Sequence, residues 1–199
     1  MAEAKSENPA MHHGMKALAP PQGIAMEMGS VQYRALRQVI FETGQPFVTP
    51  RCRIVDLRCG KGEFVEPFIE RNEDLCRFIM LDPSSNNIQS CMQRFHMRMH
   101  LGFVQPAALD LNKDFPDLSS RLTICMGGLG PLPIERRVEV LGEVRRHLEK
   151  GGAFIMAEAL KNEDDCASWL GSLREAGFDS IERIWTSGNI CAWMARKKI

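Results

Sequence analysis

Two acids and a pair of glycines carry the first chemical argument in this chain. They lie in the run Asp56-Leu57-Arg58-Cys59-Gly60-Lys61-Gly62 and, twenty residues beyond Gly62, at Asp82. Glycine adopts left-handed backbone at no steric cost and lets a ligand approach where a Cβ would exclude it. Asp56 suits a cation, met directly or through water. A carboxylate at Asp82 can accept both hydroxyls of a ribose, each charge-assisted bond contributing about 1.5–3 kcal/mol. Plainer readings stand beside these. Gly60-x-Gly62 also suits any strand-to-helix turn, and Asp82 with Pro83-Ser84 also suits a turn that caps the next helix.

Such residues act together only if regular elements bring them to one edge. Short apolar runs alternate with helical periodicity along the chain. Strands are expected at Arg53–Leu57, Arg77–Leu81, Gly102–Gln105, Leu122–Met126 and Ala153–Ala157. Helices are expected at Ser30–Thr43, Glu63–Arg71, Asn86–Met99, Ile134–Lys150 and Asp164–Ala176, with Gly151-Gly152 closing the fourth and Gly177 the fifth. Two β-like runs, Phe178–Thr186 and Ile190–Arg196, flank Ser187-Gly188-Asn189, a hairpin signal. Repeated βα units imply an α/β domain with a doubly wound, mainly parallel sheet. Ligands bind such sheets outside the carboxyl ends of the strands, where strand order reverses.

In that order and spacing the chain resembles the class I, Rossmann-like, S-adenosylmethionine-dependent methyltransferases. VDLRCGKG (55–62) resembles the family's nucleotide-binding turn and LDPSSNNI (81–88) its second motif. The stretch from Leu122 through LEKGGAFIMAE (148–158) resembles its fourth and fifth strands, and GFDSIERIW with NICAWMARKK its closing antiparallel hairpin. The resemblance implies S-adenosyl-L-methionine as cofactor. Asp56, Leu57, Arg58, Cys59, Gly60 and Gly62 would line its methionine end, and Asp82 would hold the ribose. Pro83, Ala108 and Leu109 would flank the adenine, with Met126 and Gly127 facing the sulfonium. It also implies methyl transfer to an unidentified acceptor, whether small molecule, RNA nucleoside or protein.

Three positions depart from the family pattern. The first glycine of the turn is Arg58, which would pair with the cofactor carboxylate, contact an anionic substrate, or partly obstruct the site. The adenine-side acid is missing from Gln105-Pro106-Ala107-Ala108, and Arg121-Leu122 replaces a Phe-Asp pair. A methyltransferase-fold binding protein of weak or no activity is therefore the alternative. No catalytic base is assigned, although Glu158 is the best-placed carboxylate. A nicotinamide oxidoreductase fits less well, because Val65 stands at the third glycine position of G-x-G-x-x-G.

The remaining composition mostly excludes. Lys plus Arg and Asp plus Glu each total 25, so net charge is zero and no general nucleic-acid signature stands out. Seven scattered cysteines show neither C-x-x-C nor zinc-finger spacing, so reduced thiols and no metal are expected. No run is apolar enough to span a membrane, and the first residues lack an apolar signal core, so a cytoplasmic protein is expected. Residues 1–28 read as a flexible tail or lid preceding a binding domain at 29–199. Oligomeric state is left open.

Overall fold

The computed structural model describes residues 30–96, 101–104, 111, 119–162 and 164–198. The tail at 1–28, with Ala108 and Leu109, lies outside the described residues. Helix α1 (Val31–Gly44) opens the fold, and the Ser30 hydroxyl caps it by accepting the Tyr33 N–H at 3.1 Å. There follow β1 (Arg53–Leu57), α2 (Glu66–Asn72), β2 (Arg77–Leu81), α3 (Ser85–Arg94) and β3 (Leu101–Val104). The second half holds β4 (Ser120–Met126), α4 (Ile134–His147), β5 (Leu148–Ala159), α5 (Asp164–Glu175), β6 (Ser180–Ser187) and β7 (Ile190–Arg196).

The seven strands form one sheet in the order β3-β2-β1-β4-β5-β7-β6. β1 to β5 pair in parallel, while β7 runs antiparallel between β5 and β6. Register aligns the carboxyl ends, with Leu57 opposite Leu81 and Met126 opposite Ala157. This is the expected doubly wound α/β sheet with a C-terminal antiparallel hairpin strand.

Strands covered on both faces read as continuous apolar runs, and here they feed two cores. Ile54, Phe78, Met80, Ile124 and Ile155 join Leu36 of α1 and Phe68 of α2 in one. Val55, Leu57, Cys125, Phe154 and Trp193 join Leu141 of α4 and Trp169 of α5 in the other. The alternation of Ile54, Val55 and Leu57 between the two follows the period of two along a strand. Each large side chain fully buried this way contributes roughly 1.5–3 kcal/mol.

α2 starts at Glu66 rather than Glu63 and β4 at Ser120 rather than Leu122, and two further boundaries differ from expectation for physical reasons. α4 stops at His147 and β5 starts at Leu148, so Gly151-Gly152 lies inside a strand. The β4–β5 register shifts between Ser120 and Leu122, and a Cβ at Gly152 would sit 2.9 Å from the Glu149 carbonyl oxygen. Glycine serves a β-bulge there rather than a helix cap. α3 runs Ser85–Arg94 because the Ser84 hydroxyl accepts the Asn87 N–H and Phe95 leaves helical geometry at φ −101°. At the start of α1, Val31 is exposed although apolar.

All seven cysteines are free thiols. No helix among the described residues is long and apolar enough to cross a membrane. Among the described residues no cluster of three or more His, Cys, Asp or Glu is arranged to hold a metal ion.

Candidate functional site

β1 lies between β2 and β4, so the connection after β1 leaves to one side of the sheet and the chain later returns on the other. That reversal opens a crevice at the carboxyl ends of β1 and β4. The turn after β1 is hooked onto β2: the Arg58 and Cys59 N–H groups both donate to the Leu81 carbonyl, at 2.7 and 3.0 Å. The Gly60 N–H donates to Asp82 Oδ2 at 3.0 Å. Arg58, Gly60 and Gly62 are left-handed, with φ of 70°, 55° and 82°. Glycine takes such backbone freely, whereas a side chain there costs roughly 1–3 kcal/mol. Arg58 therefore holds strain that a glycine would not.

Asp82 is buried and accepts three donors. Oδ2 takes the Gly60 N–H, while Oδ1 takes the Ser84 N–H at 2.9 Å and the Asn87 side-chain amide at 3.0 Å. It thus also serves the turn leading into α3, with Pro83 between. A carboxylate offers about four acceptor positions. One remains for a ligand hydroxyl, and a second hydroxyl would take the place of an internal donor.

Asp56 is 1 % exposed, and its Oδ2 has no hydrogen-bond partner. Burial pushes this carboxyl well above the usual carboxylate range, and the charges of Asp82 and Glu63 add to the shift. Burial therefore favours the neutral form of this group, and an arriving cation would favour the carboxylate. Above this turn α1 brings Tyr33 against Phe64, ring centroids 5.4 Å apart.

The facing wall is the turn after β4. Gly127 and Gly128 are left-handed at φ 83° and 95°, and the Gly127 N–H donates to the Ala157 carbonyl at 2.8 Å. Glu158, buried at the end of β5, accepts the Leu129 N–H at 2.8 Å. Burial raises Glu158 to about 7, against the lowering pull of the Leu129 and Gly130 N–H groups and of Arg137 and Arg58. Two guanidiniums grip the same turn: Arg58 Nη2 donates to the Gly128 carbonyl and Arg137 Nη2 to the Gly130 carbonyl, each at 3.3 Å. Arg137 also lies on the Trp169 ring, 3.8 Å from its centroid.

Asp56, Arg58, Gly60, Asp82 and Gly127 thus gather at the carboxyl ends of β1, β2 and β4, with Met126 ending β4. Leu57 and Cys59 do so through backbone, because their side chains enter the two cores. Cys59 Sγ rests 3.7 Å from Cys91 Sγ, so it packs as a small apolar residue. Glu158 reaches the strand end, yet its carboxylate is committed to holding the turn after β4. Asn87, Glu63 and Arg137 join the site without being singled out in the sequence. Asn87 alone had a signal, three residues after a capping serine.

The family model described as methyltransferase domain matches residues 54–152, from β1 into β5. The chain is 31% identical over 125 residues to the carboxy-S-adenosyl-L-methionine synthase of Stutzerimonas stutzeri (strain A1501), covering 60% of this chain and 50% of that protein. It is 26% identical over 115 residues to the ubiquinone/menaquinone biosynthesis C-methyltransferase UbiE of Campylobacter jejuni, covering 56% and 46%. The chain therefore spans about half the length of the curated relatives it matches. Among solved structures, the N-methyltransferase NodS of Bradyrhizobium japonicum, in complex with S-adenosyl-L-homocysteine, superposes with a TM-score of 0.68 at 14% identity. That likeness covers 85% of this chain and 89% of NodS, and it is one of fold.

Proposed function

The chain belongs to the class I, Rossmann-like methyltransferases, and from that membership we propose that it binds S-adenosyl-L-methionine in this crevice and methylates an acceptor. One observation carries the reading. The buried, unpartnered Oδ2 of Asp56 lies at the end of β1, under the glycine turn, where a cationic amino group would satisfy it.

The residues present fit the cofactor in kind. Asp56 would take the amino group, Asp82 the ribose, and Gly60 the close approach of backbone to ligand. Pro83, Ala108 and Leu109 would flank the adenine, with Met126 and Gly127 at the sulfonium end. Residues 29–199 would form the binding domain, with 1–28 as tail or lid. When bound, the cofactor supplies a methyl group already activated on a positively charged sulfur. The chain's own work is then to bind, orient and exclude water. Glu158 contributes by fixing the turn after β4 through backbone N–H groups.

Both curated relatives are named for small-molecule chemistry, so a small-molecule acceptor stands first, ahead of an RNA nucleoside or a protein. The turn Met126–Pro133 lacks the Asn/Asp-Pro-Pro-Tyr run expected for exocyclic base amines and a Pro-Cys nucleophile. One observation favours a second reading, a binding protein without turnover: the Arg58 cation sits at the end meant for a cationic sulfur.

Calorimetric titration with S-adenosylmethionine and S-adenosylhomocysteine tests the assignment, with NADH as control. We expect micromolar binding of the first two, weakened at least about tenfold, or about 1.4 kcal/mol, by Asp56→Asn and by Asp82→Ala. Absence of binding by either adenosyl compound would sink the cofactor reading. Binding without methyl transfer to any acceptor would favour the second.

A further inference from the structure

Among the guanidiniums near the carboxyl ends of the strands, Arg58 has neither an ion pair nor an aromatic ring as partner. Arg37 and Arg94 share the Glu66 carboxylate, at 2.6 and 2.7 Å. Arg137 rests on an indole face. Arg58 has one backbone carbonyl, that of Gly128, and its Nε is buried without a partner. A guanidinium carries five N–H donors and stays charged in proteins. Among the described residues no carboxylate lies within ion-pairing distance of it. Asp82 and Glu158 act on it only through space, and each is already accepting backbone N–H groups.

The backbone makes the same point. Arg58 is left-handed at φ 70° in a turn whose other left-handed positions are glycines. Its stem packs against Gly128, where a Cβ would sit 3.2 Å from Arg58 Nε. The side chain therefore crosses the crevice from the turn after β1 to the turn after β4. Strain of this kind gathers where a side chain does something beyond folding. A planar donor fork with free N–H groups is the shape that receives a carboxylate in two parallel hydrogen bonds.

We propose that Arg58 is the carboxylate-binding residue of the crevice, and that an occupant of the site carries a carboxylate at its end nearest β4. The proposal rests on the cofactor reading above and names what that reading leaves open. A carboxylate there would balance the guanidinium and relieve its repulsion of a positively charged sulfur. Two sources share this chemistry: the amino-acid carboxylate of the cofactor, and a carboxylate on the methyl acceptor.

The test compares wild type with Arg58→Gly, which suits left-handed backbone, and with Arg58→Lys, which keeps charge without the fork. Calorimetry measures S-adenosylmethionine against its decarboxylated analogue. In parallel, benzoate and neutral benzamide are titrated into the protein with and without S-adenosylhomocysteine, following the Arg58 Nε–H resonance. An unchanged or raised urea midpoint for Arg58→Gly verifies folding.

A preference of at least about tenfold for the carboxylated cofactor, lost in Arg58→Gly and only partly kept in Arg58→Lys, assigns the carboxylate to the cofactor. Equal binding of the two cofactors, with benzoate but not benzamide moving the Arg58 signal, assigns it to the acceptor. Indifference to carboxylate in both arms overturns the proposal and leaves Arg58 as a clasp on Gly128. If no adenosyl compound binds, the cofactor reading fails, and benzoate on the free protein still decides the role of Arg58.

Discussion

The amide of Gly60 donates to Oδ2 of Asp82 across 3.0 Å, which makes the turn after β1 and the end of β2 one hydrogen-bonded unit. The same carboxylate takes the Ser84 N–H and the Asn87 amide on its other oxygen. Asp82→Asn keeps one acceptor oxygen and places an NH2 against a donor. We expect it to destabilise the fold by about 1–3 kcal/mol, the cost of stranding a buried donor. Urea unfolding measures this, and an unchanged midpoint would show that the hydrogen bonds contribute nothing net. The substitution also removes a negative charge that raises Asp56, so the Asp56 carboxyl should titrate at lower pH.

Gly60 and Gly62 are both left-handed, yet they should fail differently. At Gly62 a Cβ would stand 2.5 Å from Phe95 Cε2, whereas at Gly60 the nearest atom, Glu63 Oε2, is 3.8 Å away. Gly62→Ala adds overpacking to backbone strain, about 2–5 kcal/mol together, and Gly60→Ala about 1–2 kcal/mol of strain alone. In cofactor titrations the order should reverse, because Gly60 faces the crevice and Gly62 the core. Stability and affinity measured on both variants check the crossing. A Gly60→Ala protein that unfolds more easily than Gly62→Ala would contradict it.

The parts of the site legible in the sequence are those tied to chain direction. Asp56 and Asp82 close apolar runs, and Gly60 and Gly62 follow one of them, so a parallel sheet places all four at one edge. Arg58 stood out as a cation in a glycine position, but its reach to Gly128 depends on a turn seventy residues later. Arg137 gave no signal, because its partners, Trp169 and the Gly130 carbonyl, are assembled by tertiary packing. Gly151-Gly152 misled because a helix end and a β-bulge ask for the same residue. The sequence puts Glu158 at the end of an apolar run, but its hydrogen bonds, and so its availability as a base, depend on the fold of the facing turn.

The thiols give a prediction about access. Cys166 is partly exposed and the other six cysteines are buried. Burial pushes the Cys125 and Cys191 thiols up, and it raises Cys76 to about 12, with help from the Cys52 thiol 3.0 Å away. The thiolate is the reactive form, so these groups should resist disulfide reagents while the fold holds. Native protein treated with Ellman's reagent should show one fast thiol per chain, absent from Cys166→Ser. The rest should react on unfolding. Several fast thiols in the native protein would mean that the cores open readily.

Glu158 links the turn after β4 to pH. Burial raises its carboxyl from 4.5 to about 7. For an acid whose folded value is raised, the protonated form is favoured on folding. Its contribution is fully present below the unfolded value near 4.5 and is lost as pH climbs toward 7. A shift of this size corresponds to about 3 kcal/mol. Glu158→Gln cannot titrate, so wild type should lose about that much stability relative to the variant between pH 4.5 and about pH 8. The Asp56 carboxyl shifts stability in the same direction, but it is present in both proteins and cancels in the difference. The amide carries its own fixed cost, because its NH2 faces a backbone N–H. The pH dependence of the difference, and not its size at one pH, is therefore the measurement. Parallel urea curves for the two proteins across this range would mean that Glu158 is ionised throughout and that the turn after β4 holds a charge.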